Sequence, residues 1–437
     1  MLGKRWMTSF CLVFLSGIHL ALGLSSPIPA PGRIAAPTAA VIATSETLRS
    51  VSPASSFRIV RPLIEDGYVG EEEETTRVRK PMLLYLPGFD GTLLSPFIQF
   101  PEMSTSFDVC GLRIDMEDRS TFDDLSNAVC DFVRTHGAEE GVYLAGESFG
   151  GLLACETALR LQAAGEGSLL RGLTLINPAT SYKGSALDQK APHVADLPGP
   201  LYVLGLMSLL PLFLDRWQLP QMLKIVSSEA LPSVIDTPAR EAYMGRVAFT
   251  LGSRLKMMPQ ATLRWRLEEW LTKGSAAVNE PGRVEEGLAT CETLVVAAEM
   301  DATLPSYTEA SRLAALLPRS EAFVVDGAGH TSTCGSRIDL TALLRRRFFA
   351  RQPMVDDAGS SAGVCGADEE VGENSNTRGK YGRISMKPEA SKGKGTADYG
   401  MEKRTYPSVS PMDYWDSKFY RAPASVSSTS TSEGARL

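Results

Sequence analysis

The stretch Gly141–Gly151 constrains the fold of this chain more than any other. The apolar run Val142–Ala145 has the length of a buried strand, and Leu152–Ala164 continues with Ala, Leu and Glu at helical spacing. Between them lies Gly-Glu-Ser-Phe-Gly, centred on Ser148, which fits the G-x-S-x-G pattern of a nucleophile elbow. In such an elbow the serine sits on a strained strand-to-helix turn, and the glycines leave room for strand and helix to approach. The pattern predicts a nucleophilic serine; the alternative is a chance match in a loop.

Segments on both sides of this stretch alternate between strand-like and helix-like patterns. Short apolar runs predict strands, and amphipathic stretches between them predict helices. This alternation predicts an α/β protein with a mostly parallel, doubly wound sheet. Strands are expected at Pro81–Leu86, Phe107–Ile114, Val142–Ala145, Leu173–Ile176, Thr293–Ala298 and Ala322–Val325, and helices at Phe122–Thr135, Leu152–Ala164, Tyr307–Leu317 and Leu340–Ala350.

The alternation stops between Thr180 and about Ala289, after the strand that follows the elbow. This region is rich in proline and contains the apolar stretch Leu201–Leu214 and a helical segment, Ala261–Leu271. α/β-hydrolase folds carry a helical cap at this place, so we predict that fold with a cap over about residues 180–289. For Leu201–Leu214 two interpretations stay open: an ordinary buried helix, or a lid that lines an acyl pocket. The stretch is too short to span a bilayer comfortably.

A nucleophilic serine needs a base, and the base needs an acid that orients it. Among the four histidines, His330 directly follows the last predicted strand, where the chain order Ser, Asp/Glu, His requires the base. The predicted acid is Asp301, at the end of the preceding strand; Glu299 is the second choice and Asp326 the third. The alternative for Asp301 is that it only caps the following helix. The predicted catalytic residues are Ser148, Asp301 and His330.

The tetrahedral intermediate of such a reaction needs two backbone N–H donors. One is expected from Phe149, the residue after the serine. The other is expected from the loop after the first predicted strand, Leu86–Gly91, where Phe89 is the candidate. The alternative is that the glycines of this loop serve only the turn. The sequence shows no spacing typical of a metal site, a Walker loop or a dinucleotide-binding loop, so no metal or cofactor is predicted.

Composition and charge are those of a globular protein. Of the 437 residues, 43% are hydrophobic and 22% are charged. A net charge of -7 argues against a nucleic-acid-binding surface. The seven cysteines include no C-x-x-C pair, which favours buried hydrophobic or free thiols over a disulfide framework or a zinc site.

The two ends of the chain differ in composition from its middle. Residues 1–24 combine basic residues, an apolar run and small residues, the pattern of a signal peptide; a membrane anchor is the alternative. Residues 25–64 contain four arginines and one acidic residue among Ala, Ser, Thr and Pro, which resembles a disordered plastid transit peptide. Such a bipartite leader is typical of algae whose plastid lies inside the endomembrane system; a secreted protein with a disordered stalk is the alternative. We predict a folded domain at 79–351 and a disordered tail at 352–437.

A series of motifs resembles the plastid esterase/lipase/thioesterase family, which includes phytyl ester synthases with diacylglycerol-acyltransferase activity. The resemblance covers about Pro81–Ala350, and the order of the motifs is far more specific than the elbow alone. The motifs are Leu86–Thr92, Asp118–Phe122, Gly146–Gly151, Asn177–Ser181, Leu304–Ser306 and Gly329–Thr331.

This resemblance implies an acyl enzyme of the plastid, located at the thylakoid or plastoglobule. It implies peripheral association with a membrane or with a lipid-droplet surface. It implies acyl-CoA, acyl-ACP or a galactolipid as the acyl donor, and phytol or diacylglycerol as the acceptor. Plant members carry a second, acyltransferase-like domain with a histidine–aspartate motif, whereas the sequence after Ala350 contains no histidine. Either acyl transfer uses the serine triad, or the protein only hydrolyses acyl esters, as a lipase or thioesterase. A non-catalytic lipid-binding protein is a further alternative, against which the complete serine, histidine and acid set argues.

Overall fold

The structure is a computed structural model that describes residues 56–68, 80–213, 256–334 and 338–349, with residues 242, 243, 245–247, 250 and 254. The predicted signal peptide, most of the transit-peptide-like segment and the predicted tail lie outside these residues, so they stay predictions.

A seven-stranded sheet forms the centre of the fold. Its strands are β1 (Phe57–Val60), β2 (Met82–Leu86), β3 (Asp108–Ile114), β4 (Val142–Glu147), β5 (Leu170–Ile176), β6 (Thr293–Ala298) and β7 (Ser320–Val325). They are ordered β1-β3-β2-β4-β5-β6-β7, with β1 antiparallel to β3 and all other neighbours parallel. The predicted mostly parallel sheet is therefore confirmed.

Helices cover both faces of this sheet. Alternate residues of the buried strands therefore pack into two separate hydrophobic cores. In β2, Leu84 and Leu86 belong to one hydrophobic core, and Leu83 and Tyr85 belong to the other. The helices in the described residues are α1 (Pro62–Glu65), α2 (Phe100–Met103), α3 (Phe122–His136), α4 (Phe149–Ala163), α5 (Ala186–Ala195), α6 (Gly199–Phe213), α7 (Gln260–Trp265), α8 (Lys273–Val278), α9 (Arg283–Gly287), α10 (Ser306–Leu316) and α11 (Leu340–Leu344). The five cysteines among the described residues are buried and free, as predicted.

The folded region begins earlier than we predicted. Residues 57–60, assigned above to a disordered leader, form the edge strand β1. Phe57 and Ile59 pack into the core, and the arginines taken as leader features form ion pairs: Arg58 lies 3.9 Å from Asp115, and Arg61 binds Asp108 at 2.6 Å. The prediction was wrong because four residues carry too little periodicity, and β1 is stabilised by pairing with a strand about fifty residues away in sequence.

The described residues between β5 and β6 form helices and turns but no strand. The predicted stretch Leu201–Leu214 corresponds to α6, which is only partly buried: Leu201 is 49% exposed and Leu204 65%. The predicted helix Ala261–Leu271 begins as α7 and continues as a π-helical turn, Arg266–Thr272, into α8. No helix of the described residues has the length and hydrophobicity that a bilayer span requires.

The register of the sheet aligns the strand ends that carry the candidate site. Glu147 at the end of β4 lies opposite Ile176 at the end of β5, and Ile176 lies opposite Val296 of β6. Ala298 of β6 lies opposite Val325 at the end of β7. Since these strands are parallel, the residues that follow them meet at one edge of the sheet.

Candidate active site

Ser148 occupies the turn between β4 and α4 in a strained backbone conformation, with φ of 56° and ψ of -115°. Its amide donates to the carbonyl of Ile176 at 2.9 Å, which fastens the turn to the neighbouring strand. A Cβ at Gly146 would lie 2.0 Å from the Gly150 carbonyl oxygen, and a Cβ at Gly150 would lie 2.2 Å from the Leu86 carbonyl oxygen. Glycine is therefore required at both positions for strand, helix and neighbouring loop to approach this closely.

The structure brings together the three side chains predicted as a triad. Nε2 of His330 lies 2.9 Å from Oγ of Ser148, and Nδ1 lies 2.8 Å from Oδ2 of Asp301. The side chains of His330 and Asp301 are only 3% and 1% exposed. The amides of Thr303 and Leu304 donate to Oδ1 of Asp301 at 2.8 and 3.1 Å. These bonds fix Oδ1 of the carboxylate. Its other oxygen, Oδ2, is the one that contacts the imidazole.

The other acids considered from the sequence do not take this position. Glu299 is exposed, and its Oε2 accepts a hydrogen bond from the Gly327 amide at 2.7 Å. Asp326 is exposed as well. Asp301 is therefore the acid of the three that contacts His330.

Burial and charge act in opposite directions on the two ionisable groups of this cluster. For His330, burial lowers the pKa of the imidazole, but the nearby carboxylates of Asp301 and Glu147 raise it, and the net pKa is above its usual value. For Asp301, burial raises the pKa of the carboxyl, but the charge and hydrogen bond of His330 and the Ser306 hydroxyl lower it below its usual value. Both shifts favour an ion pair between imidazolium and carboxylate, which is the charge state that a general base reaches after it takes a proton.

The two predicted oxyanion donors, Phe149 and Phe89, belong to the helix that follows the serine and to a turn beside it. The Phe149 amide is the first of α4, a position without an intrahelical acceptor. Phe89 lies in the turn Gly88–Gly91, where the Gly88 carbonyl accepts from the Gly91 amide at 3.0 Å. Because a trans peptide points its C=O and N–H in opposite directions, this bond directs the Phe89 amide away from the turn. A Cβ on Gly88 would lie 4.0 Å from that of Ser148, so the turn borders the serine.

Asn177 is a buried residue whose part in this site the sequence reasoning missed. It follows β5 with a positive φ of 44° and is fully buried. Its Nδ2 donates to the backbone carbonyl of His330 at 2.6 Å and to the Ser332 hydroxyl at 3.2 Å, while its Oδ1 accepts from the Ala298 amide at 2.7 Å. One side chain thus links the end of β6, three residues before Asp301, to the histidine loop. The motif Asn177–Ser181 was visible in the sequence, but nothing local showed what the amide binds.

We expect Asn177→Asp to lower kcat/KM by about 10- to 100-fold, since a small displacement of a catalytic group costs that much. Aspartate tolerates the positive φ and keeps the acceptor, but replaces a donor by an oxygen that faces the His330 carbonyl. The matched control is Asn279→Asp, because Nδ2 of Asn279 donates to the carbonyls of Thr180 and Ser275 at 2.7 and 2.8 Å. Steady-state kinetics and thermal melts of both variants test this. An equal loss of activity in the two variants would show that Asn177 acts on stability alone.

The C-terminal end of α6 lies against the loops that carry the acid and the base. The Thr303 hydroxyl donates to the Leu212 carbonyl, and the Thr331 hydroxyl donates to the Phe213 carbonyl at 3.0 Å. These bonds join the last two described residues of α6 to the loops that carry Asp301 and His330. The ring of Phe213 approaches that of His330 edge to face, with centroids 5.9 Å apart. An apolar helix of the predicted cap region therefore ends beside the candidate base.

The family model described as the alpha/beta hydrolase family matches residues 86–337, more than half of the chain. The chain belongs to the alpha/beta hydrolase family. The predicted fold class is thereby confirmed, together with the family resemblance at this level.

Two curated relatives are phytyl ester synthases of Arabidopsis thaliana, both chloroplastic by name. Phytyl ester synthase 1 is 31% identical over 269 residues, which cover 61% of this chain and 36% of the relative. Phytyl ester synthase 2 is 27% identical over 296 residues, which cover 63% of this chain and 39% of the relative. The chain therefore spans about two fifths of the length of these relatives.

Among solved structures, an alpha/beta hydrolase from a Medee basin deep-sea metagenome library is similar at 15% identity and a TM-score of 0.44, covering 68% of this chain and 94% of that one. A membrane phospholipase A, a bacterial virulence factor, is similar at 17% identity and a TM-score of 0.41, covering 62% and 80%.

Proposed function

We propose that this chain is a serine-dependent acyl enzyme of lipid metabolism, with Ser148, His330 and Asp301 as its catalytic triad. The observation that carries the proposal is the continuous hydrogen-bonded series from Ser148 Oγ through the imidazole to the Asp301 carboxylate. Membership of the alpha/beta hydrolase family supports esterase or acyltransferase chemistry. The similarity to two phytyl ester synthases supports lipid substrates.

In the first half-reaction, Ser148 Oγ attacks the acyl carbon of an ester or thioester while His330 Nε2 takes the hydroxyl proton. The oxyanion that forms accepts hydrogen bonds from the amides of Phe89 and Phe149. The bond to the alcohol or thiol then breaks, and the leaving group takes the proton from His330. The product is an ester between the acyl chain and Ser148, with neutral imidazole restored beside it.

In the second half-reaction, His330 takes a proton from an acceptor that attacks the acyl-serine. The bond between the acyl carbon and Ser148 Oγ then breaks, and Oγ takes the proton back from His330. Water as the acceptor makes the protein a lipase or thioesterase, which is the alternative function. Phytol or diacylglycerol as the acceptor makes it an acyltransferase, which is the function we favour. The apolar helix α6, which ends at Phe213 beside His330, supports a long-chain acceptor. Apolar surface favours such a chain by roughly 25 cal/mol per Å² buried.

We expect the purified protein to form more ester than free acid from a labelled acyl donor once phytol or diacylglycerol is added. The acceptor competes with water because its chain is bound while its hydroxyl lies within reach of the base. The measurement is the ratio of ester to free acid at increasing acceptor, with acyl-CoA, acyl-ACP and galactolipid tested as donors. If only free acid forms at every acceptor concentration, the acyltransferase is contradicted, and the alternative function, a lipase or thioesterase, remains.

The helix α6 gives this experiment a matched pair of variants. Leu204→Glu places a charge on the exposed side of α6, where Leu204 is 65% exposed, and is expected to lower the ester-to-acid ratio. Ile64→Glu places the same charge on α1, where Ile64 is 47% exposed, and should leave the ratio unchanged. Equal ratios in the two variants would show that α6 does not bind the acceptor.

We also propose that the protein acts in the plastid, reached through the bipartite leader. The names of the two Arabidopsis relatives support this location. Because β1 begins at Phe57, we place the end of the proposed leader before that residue. A fluorescent protein fused after Ser55 should enter the plastid of a complex-plastid alga, and one fused after Ser25 should stay in the endomembrane system. Secretion of both fusions would contradict the plastid location and favour the alternative of a secreted protein with a disordered stalk.

A further inference from the structure

The π-helical turn Arg266–Thr272 presents two fully buried side chains to the candidate oxyanion donors. Arg266 and Trp270 are both 0% exposed. They are four residues apart in a widened turn, so both extend from the same side of the helix, and turns of this kind occur often at functional sites. Their partners are Phe89, in the turn after β2, and Phe149, at the start of α4.

Arg266 fixes the backbone of the turn that contains Phe89. Its Nη1 donates to the Phe89 carbonyl and its Nη2 to the Asp115 carbonyl, each at 2.8 Å. Burying a guanidinium is costly, so a buried arginine that binds two carbonyls indicates a positional requirement. Burial lowers the pKa of this guanidinium to about 10, while the carboxylates of Asp90 and Asp118 favour its charged form. Arg266 is therefore a cation at neutral pH.

Trp270 packs against the side chains of both residues that carry the candidate donors, Phe89 and Phe149. Its ring stacks on that of Phe149 with centroids 4.5 Å apart and planes at 15°. The same ring meets Phe89 edge to face at 6.4 Å, and the Arg266 guanidinium lies 4.2 Å from its centroid. Its Nε1 donates to the Ser120 carbonyl at 2.9 Å, which fixes the indole in its plane.

Two successive peptide groups of the turn are held through their carbonyls. The Gly91 amide binds the Gly88 carbonyl, and Arg266 binds the Phe89 carbonyl. Because each peptide is planar, holding these two carbonyls sets the backbone torsions on both sides of the Phe89 Cα. The Phe89 amide shares its peptide plane with the Gly88 carbonyl, so the Gly88–Gly91 bond orients it directly. Arg266 holds the next peptide plane and so limits rotation about the Phe89 Cα.

We propose that Arg266 and Trp270 are positioning residues that hold the Phe89 and Phe149 amides in the geometry an oxyanion requires. This inference rests on the proposed function, since it assumes that these amides bind an oxyanion. It assigns the segment between β5 and β6 a second role beyond binding lipid, because this segment also sets the donors that stabilise the transition state.

The test compares Arg266→Met with Arg264→Met in the full chain. Methionine keeps an unbranched apolar stem but removes the guanidinium and its charge. Arg264 lies on the same helix, and its Nη2 donates to the Ala195 carbonyl at 2.7 Å, but its side chain is 60% exposed and away from the turn. Active sites are counted by fluorophosphonate labelling at saturation, and kcat is calculated per labelled site. Unfolded molecules, which are not labelled, therefore do not lower the measured kcat.

We expect Arg266→Met to lower kcat per labelled site by about 10- to 100-fold, with KM within about twofold, since loss of one oxyanion donor costs about 100- to 1,000-fold. A long-chain alkylboronic acid, which forms a tetrahedral adduct with the serine, should bind more weakly by the same factor as kcat falls. Arg266→Lys, which keeps the cation, should recover part of both losses, and Arg264→Met should change neither.

Two outcomes overturn the inference in distinguishable ways. If Arg266→Met lowers the number of labelled sites but leaves kcat per site and boronate affinity equal to those of Arg264→Met, Arg266 only stabilises the fold, and the proposed function stands. If the wild-type protein shows no turnover that depends on Ser148, the proposed function fails and the inference fails with it.

Discussion

Replacement of Ser148 by alanine is expected to lower acyl-ester turnover by about 10⁴- to 10⁶-fold, because triad members act as a unit and their single removals are nearly as severe as removing all. The fold should survive. Alanine fits the turn as well as serine does, and the bonds of the backbone to Ile176 and Ala179 do not involve the side chain. Intact mass after incubation with a chromogenic ester should show an acyl adduct on the wild type and none on Ser148→Ala, at equal melting temperatures.

The histidines supply the controls for this experiment. His330→Ala should lose activity to a similar degree, since Nε2 of His330 lies 2.9 Å from the serine oxygen. His136, which stacks on Phe132 in α3, and His193, which is exposed on α5, should tolerate alanine with little change in turnover. Near wild-type acyl release by Ser148→Ala would rule out the acyl-serine, and a loss at His193 equal to that at His330 would move the base to α5.

Asp301→Asn is expected to lower kcat by about 10⁴-fold, as a wrong imidazole tautomer does in serine hydrolases. Two backbone amides donate to Oδ1 of Asp301, so the amide oxygen of the new asparagine must take that place. Its NH₂ group then faces Nδ1 of His330. The imidazole must accept there, which puts its proton on Nε2, and Nε2 can no longer take a proton from Ser148.

The same variant predicts a shift in pH dependence whose sign follows from the charges. The base must be neutral to accept a proton, so activity falls as the pH drops through the pKa of His330, which lies above its usual value. Removing the Asp301 carboxylate removes a charge that raises this pKa, while burial continues to lower it. The acid limb of the residual kcat/KM profile should therefore move to lower pH.

Glu299→Gln is the matched control, because Glu299 is an exposed carboxylate two residues from Asp301. We expect it to keep the activity and the acid limb of the wild type. If Glu299→Gln and Asp301→Asn exchanged these results, the acid would be Glu299, the second choice from the sequence. An acid limb that moves to higher pH in Asp301→Asn would contradict the charge argument.

The sequence alone determined the parts of this protein that local chemistry dictates. The elbow around Ser148 was predictable because the strained turn needs glycine at Gly146 and Gly150, where any side chain would meet backbone within 2.5 Å. The fold class followed from strand and helix periodicity, and the fold then specified where a base and an acid belong. The four histidines left His330 as the one in that place. The contacts of His330 with Ser148 and with Asp301 agree with this order, while their catalytic roles stay predictions.

Only the tertiary structure revealed the features that depend on contacts between distant segments. The edge strand β1 was missed because its four residues are stabilised by pairing with β3 and by ion pairs, neither of which leaves a periodic pattern. Asn177 and Arg266 looked like ordinary polar residues, because their significance lies in the carbonyls they bind 153 and 177 residues away. A side-chain amide or guanidinium carries no record of its acceptor in the neighbouring sequence. Its acceptor exists only once the sheet and the helices have packed.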